Sequence, residues 1–360
     1  MSTKITFIVI VIYKISIGCF ADWDPVVLNG IKWSSTSQGF ETIRYADSVG
    51  IQRIPIKYHG GIDTNTDGVI EPLEISSFTR WITRYIPDDY AGPIVFDYEK
   101  PWWEYLMAKT ISREKLEELI GVYEQGLSIA KSIRPKAEWG YYGLPIIKNT
   151  SKAWLSQGLS LQPIVDRSNG MYPSIYDCRP NRDITWRVEQ HVEIILKQSG
   201  GTKPVYVFVS PRYCGHHNKQ GDFIPDETFL RQVNAAMKAT WTDEMGMHHK
   251  INGVVLWDAY AGIPQDEWGL VDMKHKRYLQ LLQALVQAWR EKSVGVTITS
   301  LANHTAILNN RFTGYEFSKL INREVQKNDT TANTLHEGEI SSKENDRVES
   351  GRVRENRVKE

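Results

Sequence analysis

Cysteine is scarce in this sequence, and net charge is absent. Only Cys19, Cys178 and Cys214 occur among 360 residues, which excludes the small scaffolds that depend on many disulfides. In an exported protein Cys178 and Cys214 can form a disulfide, and two buried thiols are the alternative. Lys and Arg number 43, as do Asp and Glu, so the chain as a whole does not attract polyanions. We therefore expect no nucleic-acid partner, and an anionic ligand would need a local basic patch.

Apolar runs long enough to cross a membrane are also missing. The run 5–13 follows Lys4 and falls short of the roughly 20 residues of a transmembrane helix, but it has the length of the apolar part of a secretion signal. We predict a signal over residues 1–20 and a secreted protein, periplasmic if the source is bacterial, without stable membrane insertion. A lipid anchor on Cys19 is a minor alternative, since Ser16 stands where lipoproteins carry an aliphatic residue.

Strand-like and helix-like segments alternate between residues 43 and 289. The predicted strands cover residues 51–58, 94–99, 137–142, 171–176, 204–209 and 251–257. The predicted helices cover residues 75–85, 113–132, 186–197, 226–244 and 278–289. This alternation indicates an α/β protein with a parallel sheet, and the number of units favours a TIM-like (β/α) barrel over an open sheet.

The composition changes near residue 322. Hydrophobic residues become rare there, and Glu, Lys, Arg, Asn and Ser dominate without any helical or strand period. Such a segment cannot bury enough apolar surface to offset the entropy of ordering its backbone. We predict a barrel domain over residues 21–320 and a disordered charged tail over residues 321–360.

A pair of carboxylates closes the predicted strand 94–99. Three apolar residues precede Asp97-Tyr98-Glu99, and Lys100-Pro101 ends the run. Side chains two apart in a strand lie on the same face, so Asp97 and Glu99 project together. Each raises the cost of ionising the other, so one can keep a proton while its neighbour is charged. Glycosidic bonds are cleaved by such pairs. A purely structural pair, bound to an arginine or a helix N-terminus, is the alternative.

Aromatic residues stand at or near the ends of the other predicted strands. In a (β/α) barrel the chemistry takes place at the C-terminal ends of the strands, where aromatic rings suit the flat C–H faces of sugars. Trp102 stands three residues after Glu99, and Arg212 follows the predicted strand 204–209. We predict a sugar-binding cleft formed with Tyr142, Tyr176, Tyr213, Trp257, Trp102 and Arg212.

Residues 63–74 match the twelve-residue calcium loop of EF-hands at its diagnostic positions. Gly68 permits the sharp turn, and Glu71 can bind directly or through water. The incoming helix is missing, because residues 53–58 predict a strand. We expect one structural calcium ion on the rim of the barrel, and an acidic turn without an ion is the alternative. The predicted ligands are Asp63, Asn65, Asp67, the Val69 carbonyl and Glu74.

Several segments around the strand ends occur in a characteristic order. They are Gly60-Gly61, Asp97-Tyr98-Glu99, Trp139-Gly140-Tyr141-Tyr142 with Pro145 after it, Tyr172-Pro173-Ser174-Ile175-Tyr176, and Gly253-Val254-Val255-Leu256-Trp257. In this order, over about residues 43–290, the chain resembles the hyaluronidases of bee venom and mammalian sperm. The resemblance implies a distorted (β/α) barrel and a polysaccharide substrate.

The resemblance also implies substrate-assisted catalysis with retention of configuration. Glu99 corresponds to the general acid, which protonates the leaving oxygen and later activates water. Asp97 corresponds to the residue that holds the N–H of the substrate's acetamido group, whose carbonyl oxygen attacks the anomeric carbon. Tyr176 would hydrogen-bond near that group, and Trp257 would form an apolar wall for its methyl. No catalytic metal or other catalytic cofactor is expected.

The sequence departs from the family at several positions. Phe208 stands where relatives have a second active-site tyrosine, and the Trp-Arg-Pro that usually follows the glutamate is replaced by Lys100-Pro101-Trp102-Trp103. Asp258-Ala259-Tyr260 replaces a small glycine-led turn, the usual set of disulfides is missing, and the calcium-type loop is an addition. These departures leave the catalytic pair in place but put the details of the substrate in doubt.

Taken together, the motifs predict a secreted, endo-acting glycoside hydrolase that cleaves N-acetylhexosaminide bonds in hyaluronan-like polysaccharides. Hyaluronan is a polyanion, and Arg179, Arg182, Arg187 and Arg212 follow two strand ends, although ordinary surface arginines look the same. Asp258 argues against a uniformly basic cleft, so a neutral or chitin-like glycan is an alternative. Chitinases have further aspartates before D-x-E, which residues 94–96 do not supply. A catalytically inactive, calcium-stabilised carbohydrate-binding protein is the alternative from another class.

Overall fold

The computed structural model describes residues 23–58, 63, 68–99, 105–106, 108, 110–144, 156–180, 182–215 and 218–293. The chain divides into two compact units, Met1–Ile298 and Thr299–Glu360, and all described residues belong to the first. The predicted signal (1–20), Trp102, the loop ligands Asn65 and Asp67, and the predicted tail (321–360) lie outside the described residues.

Parallel strands dominate the described part of the chain. One sheet has the order β2-β1-β9-β6 and another the order β3-β4-β5, and a short antiparallel pair, β7 and β8, stands apart. The strands are β1 Val26–Asn29, β2 Gln52–Arg53, β3 Ile56–Tyr58, β4 Pro93–Asp97, β5 Glu138–Tyr141, β6 Tyr206–Val209, β7 Trp241–Thr242, β8 His248–His249 and β9 Gly253–Leu256.

Backbone contacts continue between these two parallel sheets. Between β2 and β3, the Ile54 N–H donates to the Asn29 carbonyl (3.1 Å) and the Pro55 carbonyl accepts from the Val95 N–H (3.0 Å). Isolated parallel bridges pair Tyr142 with Tyr172, Met171 with Val205, and Ser174 with Phe208, so residues 171–174 connect β5 to β6. The series of pairs thus starts at β1 and returns to it through β9. A mixed α/β fold with parallel pairing, as the alternation of segments predicts, is confirmed.

Helices separate most of the strands in sequence. In the third of them, Ser112 caps the N-terminus by accepting from the Lys115 N–H (3.2 Å), and buried residues recur at three- and four-residue spacing from Leu116 to Ala130. That helix ends before Pro135, which disfavours helical backbone in the preceding residue. The helices are α1 Phe40–Val49, α2 Pro72–Tyr85, α3 Arg113–Ile133, α4 Gln162–Arg167, α5 Thr185–Gln198, α6 Asp226–Lys238 and α7 Trp268–Ser293.

Side chains alternate along β4, so that neighbouring residues of this strand belong to two different core clusters. Phe96 and Tyr98 belong to the cluster that faces helices α2 and α3, where the Phe96 ring lies 5.1 Å from that of Phe78 and 5.0 Å from that of Trp139. Val95 belongs to a second cluster, formed mainly among the strands, against which Tyr142, Tyr176 and Trp257 pack. Asp97 is two residues after Val95 and therefore lies on the same face of β4, the face that carries the second cluster.

Several predicted elements differ from the structure. The predicted strand 51–58 is divided into β2 and β3, which belong to different sheets. Residues 171–176 form isolated bridges instead of a strand, because Pro173 has no N–H for a continuous ladder. The helix that begins at Asp226 ends at Lys238 and not near residue 244, because Ala239 is extended and Trp241–Thr242 pairs with His248–His249. The last helix begins ten residues before the predicted residue 278, at Trp268.

Candidate active site

Asp97 and Glu99 lie at the C-terminal end of β4. Asp97 is the last residue of the strand and pairs in register with Tyr58, the last residue of β3. Asp97 and Glu99 are partly exposed, whereas Tyr98 between them is only 4% exposed. This alternation places both carboxylates on the side opposite the Tyr98 ring, as the D-x-E spacing predicts.

Tyr98 is held both by its side chain and by its backbone. Its hydroxyl donates to Oδ2 of Asp63 (2.7 Å), and its carbonyl accepts from the Tyr123 hydroxyl (3.0 Å). The rings of Tyr98 and Tyr123 also contact each other, with centroids 5.3 Å apart. The segment that carries the two carboxylates is therefore fixed from its helix-facing side.

Three of the predicted sugar-binding aromatics form one cluster. The Tyr176 ring stacks on the Trp257 ring with centroids 6.0 Å apart, and it lies 6.0 Å from the Tyr142 ring. Phe208, the residue that departs from the family pattern, packs edge-on against Tyr142 at 5.1 Å. Four separate strand-end segments thus meet at one point, although in sequence they extend from residue 142 to residue 257.

Burial and the carboxylates keep these tyrosines protonated. Burial is the main reason why the pKa of Tyr176 lies well above its usual value, and the neighbouring Tyr142 phenol and the charges of Asp97 and Glu99 add to the shift. Burial also raises the pKa of Tyr142, and Glu99 and Asp97 raise it further. Both phenols are therefore neutral near neutral pH and can donate hydrogen bonds to a sugar. The Tyr142 N–H donates to the Phe96 carbonyl (2.9 Å), so Tyr142 lies next to the end of β4 that carries Asp97.

Tyr58 is a site residue that the sequence argument missed. Its pKa is raised to about 12, first by burial and further by the Asp97 charge, although a hydrogen bond with the Trp257 side chain partly opposes this shift. The Lys32 ammonium lies 4.2 Å from the centre of the Tyr58 ring. Tyr58 closes the predicted strand 51–58, so the strand-end rule that selected Tyr142 and Tyr176 would have found it.

Arg212 is bound to an acidic partner within the protein. Its Nε donates to Oδ2 of Asp258 (2.7 Å), and its guanidinium lies 4.1 Å from the Phe223 ring centre. The His275 Nε2 also lies 2.7 Å from the same Asp258 oxygen. Burial alone would raise the pKa of Asp258, but hydrogen bonds and charges from His275 and Arg212 outweigh burial and lower it. The Arg212 charge is therefore largely balanced, and its binding of substrate stays a prediction.

A disulfide joins Cys178 to Cys214, with Cα atoms 4.4 Å apart. It connects the segment after Tyr176 to the loop that carries Tyr213, which is 6% exposed. Burial, followed by the charge of Asp177, raises the pKa of Tyr213. The disulfide that the sequence left open is confirmed. The three remaining candidate cations after these strand ends are all exposed: Arg179, Arg182 and Arg187.

The described part of the calcium-type loop has features that suit an ion. Asp63 is fully buried and its Oδ2 accepts from the Gly68 N–H (3.1 Å), while Gly68 has a φ of 89°, which glycine adopts without strain. Glu74 is 5% exposed, lies in the first turn of α2, and accepts from the Glu71 N–H (3.1 Å). Val69 is exposed.

The predicted donors are all oxygen atoms, the ligand type that calcium prefers. The strand β3, and not a helix, precedes the loop, as the sequence predicts. Within the described residues no group of three or more His, Cys, Asp or Glu side chains is arranged to hold a metal. Asp63 and Glu74 are the predicted side-chain ligands that the structure describes, whereas Asn65 and Asp67 lie outside the described residues. The calcium site therefore stays a prediction.

Comparison with known sequences shows relatives of one kind. The chain is 23% identical over 269 residues to hyaluronidase PH-20 of Mus musculus, a match that covers 61% of this chain and 50% of that protein. It is 34% identical over 98 residues to the hyaluronidase of the wasp Polybia paulista, which covers 26% of this chain and 32% of that protein. The chain thus spans about half the length of the mammalian relative, and no family model matches it.

A solved structure agrees with these sequence matches. Bee venom hyaluronidase, solved in complex with a hyaluronic acid tetramer, superposes with a TM-score of 0.50 at 14% identity. The superposition covers 71% of this chain and 98% of that one, and at this identity it bears on the fold alone. The sequence matches confirm the distant resemblance to hyaluronidases that the motifs predict. In the part of the chain that the structure describes, no helix combines the length and apolarity needed to cross a membrane.

Proposed function

We propose that this protein is a glycoside hydrolase that cleaves N-acetylhexosaminide bonds in hyaluronan-like polysaccharides within a distorted, TIM-like (β/α) barrel. The observation that carries the proposal is the position of Asp97 and Glu99 at the end of β4, beside the cluster of Tyr142, Tyr176 and Trp257. Aromatic rings can pack against the C–H faces of a sugar, and the carboxylates and tyrosine hydroxyls can hydrogen-bond to its hydroxyl and amide groups.

Glu99 would act as the general acid. It protonates the glycosidic oxygen as the bond to the anomeric carbon breaks, and the resulting carboxylate then removes a proton from the attacking water. The acetamido oxygen of the substrate attacks the anomeric carbon first and water opens the resulting ring, so two inversions give net retention. Asp97 accepts a hydrogen bond from the acetamido N–H, which makes the acetamido oxygen a better nucleophile.

The aromatic cluster would orient the acetamido group. The Tyr176 hydroxyl is a neutral donor because burial and the nearby carboxylates oppose its ionisation. The Trp257 ring is held in place by stacking on Tyr176 and by its hydrogen bond with Tyr58, so it offers a rigid apolar wall to a methyl group. We add Tyr58 to the residues that shape this subsite.

A neutral N-acetylhexosamine polymer is the second candidate substrate. The pairing of Arg212 with Asp258 favours it, because the cation expected to meet a glucuronate carboxylate already has an acidic partner. The ammonium group of Lys32, which lies beside the Tyr58 ring, instead favours an anionic substrate. The choice between hyaluronan and a neutral glycan therefore depends on whether Lys32 or the exposed arginines reach the polymer.

We also propose that the protein is secreted and binds a structural calcium ion in residues 63–74. Disulfides persist mainly in oxidising compartments, so the Cys178–Cys214 bond supports export. The buried carboxylates of Asp63 and Glu74, with Gly68 at the turn, support the ion site. Isothermal titration of the purified protein with CaCl2, before and after Asp63→Asn, tests the site.

Product analysis tests the proposed activity. Wild type and Glu99→Gln are offered hyaluronan, chondroitin and N-acetylglucosamine oligomers, and the products are identified by mass spectrometry. We expect even-numbered, saturated oligosaccharides from hyaluronan with the wild type and none with the variant. Cleavage of the N-acetylglucosamine oligomers alone would support the proposed mechanism but show that the substrate is a neutral glycan. Saturable glycan binding without products would favour the inactive binding protein.

A further inference from the structure

Lys32 lies at the same end of the parallel strands as the proposed catalytic pair. It follows β1, its N–H donates to the Asp258 carbonyl (2.8 Å), and an isolated parallel bridge pairs it with Ala259. Trp257, the proposed apolar wall for the acetamido methyl, directly precedes Asp258. The backbone of Lys32 is therefore fixed beside the C-terminal end of β9, on the side of the sheet where parallel α/β folds bind their ligands.

The Lys32 side chain extends from this position over the Tyr58 ring. Its ammonium nitrogen lies 4.2 Å from the ring centre, a distance at which the ring attracts a cation. The Tyr58 side chain also hydrogen-bonds to that of Trp257, and Tyr58 pairs in register with Asp97. One ring thus connects the ammonium group both to the aromatic cluster and to the strand end that carries Asp97.

The charge of Lys32 is not balanced by an acidic side chain of the described residues. Within that part of the chain, the partly buried Lys32 ammonium makes no ion pair and no hydrogen bond, and it contacts the Tyr58 ring instead. Arg212 differs in this respect, because Asp258 accepts from its Nε at 2.7 Å. Lys32 therefore keeps a positive charge that an anionic ligand can neutralise.

We propose that Lys32 is a specificity-determining residue, which binds the carboxylate of a uronic acid unit adjoining the N-acetylhexosamine at Trp257. A lysine ammonium has three N–H donors, and the Tyr58 ring covers only one side of it. Hydrogen bonds between an ammonium and a carboxylate are stronger than those between neutral groups. The inference rests on the proposed glycosidase function, and it selects a uronate-containing polymer over a neutral one as the substrate.

Lys57 provides a matched control for the removal of this charge. It precedes Tyr58 in β3, and its ammonium also lies over an aromatic ring, that of Trp81 in α2, at 5.7 Å. Trp81 packs against the core cluster on the helix-facing side, because neighbouring residues of a strand point to opposite faces. Lys57→Met therefore removes a lysine charge one residue from Tyr58 but on the face away from the proposed site.

The kinetic test uses hyaluronan and hyaluronan whose carboxyl groups have been reduced to alcohols. The reduced polymer keeps the N-acetylhexosamine and the glycosidic bonds but has lost the charge. We expect Lys32→Met to raise KM for hyaluronan about tenfold with little change in kcat, since a hydrogen bond to a charged group contributes at least this much. Wild type on the reduced polymer should show the same rise in KM, and Lys32→Met should add nothing to it.

Two further variants complete the kinetic comparison. Lys32→Arg keeps the charge and should restore most of the affinity for hyaluronan, and Lys57→Met should match wild type on both polymers. Equal losses of Lys32→Met on the two polymers would overturn the inference, because Lys32 would then act through the fold or through Asp97. An unchanged KM for hyaluronan would overturn it as well, and so would cleavage of N-acetylglucosamine oligomers alone.

Calorimetric titration with a hyaluronan oligosaccharide supplies a readout that needs no turnover. The titrations use Glu99→Gln, so that the oligosaccharide stays intact, with and without Lys32→Met or Lys57→Met. We expect about tenfold weaker binding when Lys32 is replaced and no change when Lys57 is replaced. Melting curves establish that every variant is folded under the conditions of the titration.

The titration separates the inference from the proposed function. If the wild type cleaves no glycan but the oligosaccharide binds in this Lys32-dependent way, the proposed function fails and the inference stands. If hyaluronan is cleaved, and is bound equally well without the Lys32 charge, the proposed function stands and the inference is wrong. Absence of any binding of the oligosaccharide would also show that the inference is wrong.

Discussion

The rings of Tyr176 and Trp257 stack with an interplanar angle of 19° and centroids 6.0 Å apart. The two residues follow different strand segments. In sequence they are separated by α5, β6, α6, the antiparallel pair β7 and β8, and β9. Their contact creates a flat aromatic surface. Tyr142, which packs against Tyr176, donates its N–H to the Phe96 carbonyl next to Asp97, so this surface adjoins the end of β4.

Replacing Glu99 with glutamine should abolish turnover without unfolding the protein. The amide N–H is far too weak an acid to protonate the leaving oxygen, and general acid catalysis contributes about 10²- to 10⁴-fold. Reducing-end assays should show this loss of kcat, while the melting temperature stays close to that of wild type. Glu118→Gln, on the exposed side of α3 where Glu118 pairs with Lys115, is the control and should retain full activity. Substantial activity of Glu99→Gln would show that Glu99 is not the general acid.

Replacing Asp97 with asparagine should lower kcat by several orders of magnitude. Asparagine keeps the shape of the side chain but lacks the charge that holds the acetamido N–H, so the substrate's own nucleophile is no longer activated. Steady-state kinetics on an N-acetylated oligosaccharide measure the loss. Asp166→Asn, a change in α4 away from the site, is the control. A variant that loses only substrate affinity would show that Asp97 binds substrate without activating it.

Removing the hydroxyl of Tyr176 should reduce activity with little effect on stability. Tyr176→Phe retains the ring that stacks on Trp257, so the aromatic cluster is preserved, but a neutral donor to the acetamido group is lost. One missing hydrogen bond to the transition state corresponds to about 0.5–1.5 kcal/mol, or up to about a tenfold lower kcat/KM. Tyr45→Phe, in α1, should leave kcat/KM unchanged. Unaltered kinetics of Tyr176→Phe would remove its hydroxyl from the mechanism.

Asp258→Asn should lower the free energy of unfolding at neutral pH. It should also reduce the loss of unfolding free energy that occurs when the pH is lowered. In the folded protein the pKa of Asp258 lies below the usual value of an aspartate, because hydrogen bonds and charges from His275 and Arg212 outweigh the effect of burial. Its contribution to stability is therefore present above the unfolded pKa and lost as pH falls through the folded pKa. Breaking a buried pair costs about 3–5 kcal/mol.

Urea unfolding curves from about pH 3 to pH 7 measure this effect. The difference in unfolding free energy between wild type and Asp258→Asn should be largest at pH 7 and should shrink at the acid end. Asp24→Asn, which alters the exposed ion pair with Arg290, should change stability by less than about 1 kcal/mol. A difference that grows as pH falls would contradict the sign of the pKa shift.

Reduction of the disulfide should lower the free energy of unfolding. The bond closes a segment with a sequence separation of 36, for which the loss of chain entropy in the unfolded state is about 3–4 kcal/mol. Denaturation of the Cys178→Ser, Cys214→Ser double variant measures this change. Addition of reductant to wild type should reproduce it and should have no effect on the double variant. Equal stability of all forms would show that the bond contributes nothing.

The strand β4 and the carboxylates after it were predictable because their signals are local. Apolar residues 94–96 and the two-residue period alone place Asp97 and Glu99 on one face, and the structure agrees. The helix at Arg113–Ile133 was predicted to within one residue for the same reason, since its apolar period and its cap lie in the segment itself. The pairing of residues 171–176 was less predictable. This apolar segment contains Pro173, and the neighbouring strands decide how many of its residues pair with them.

The sequence by itself thus determined the spacing of the proposed catalytic pair Asp97 and Glu99, the aromatic character of the strand ends and the calcium-type pattern of the loop, because each depends on residue type and position along the chain. Only the tertiary structure decided that Arg212 is paired with Asp258, that Cys178 bonds to Cys214, and that Tyr58 lies beside Asp97. It alone brought Asp63 to the hydroxyl of Tyr98. These contacts join residues far apart in sequence, and their formation depends on the packing of whole strands and helices, which no local pattern encodes.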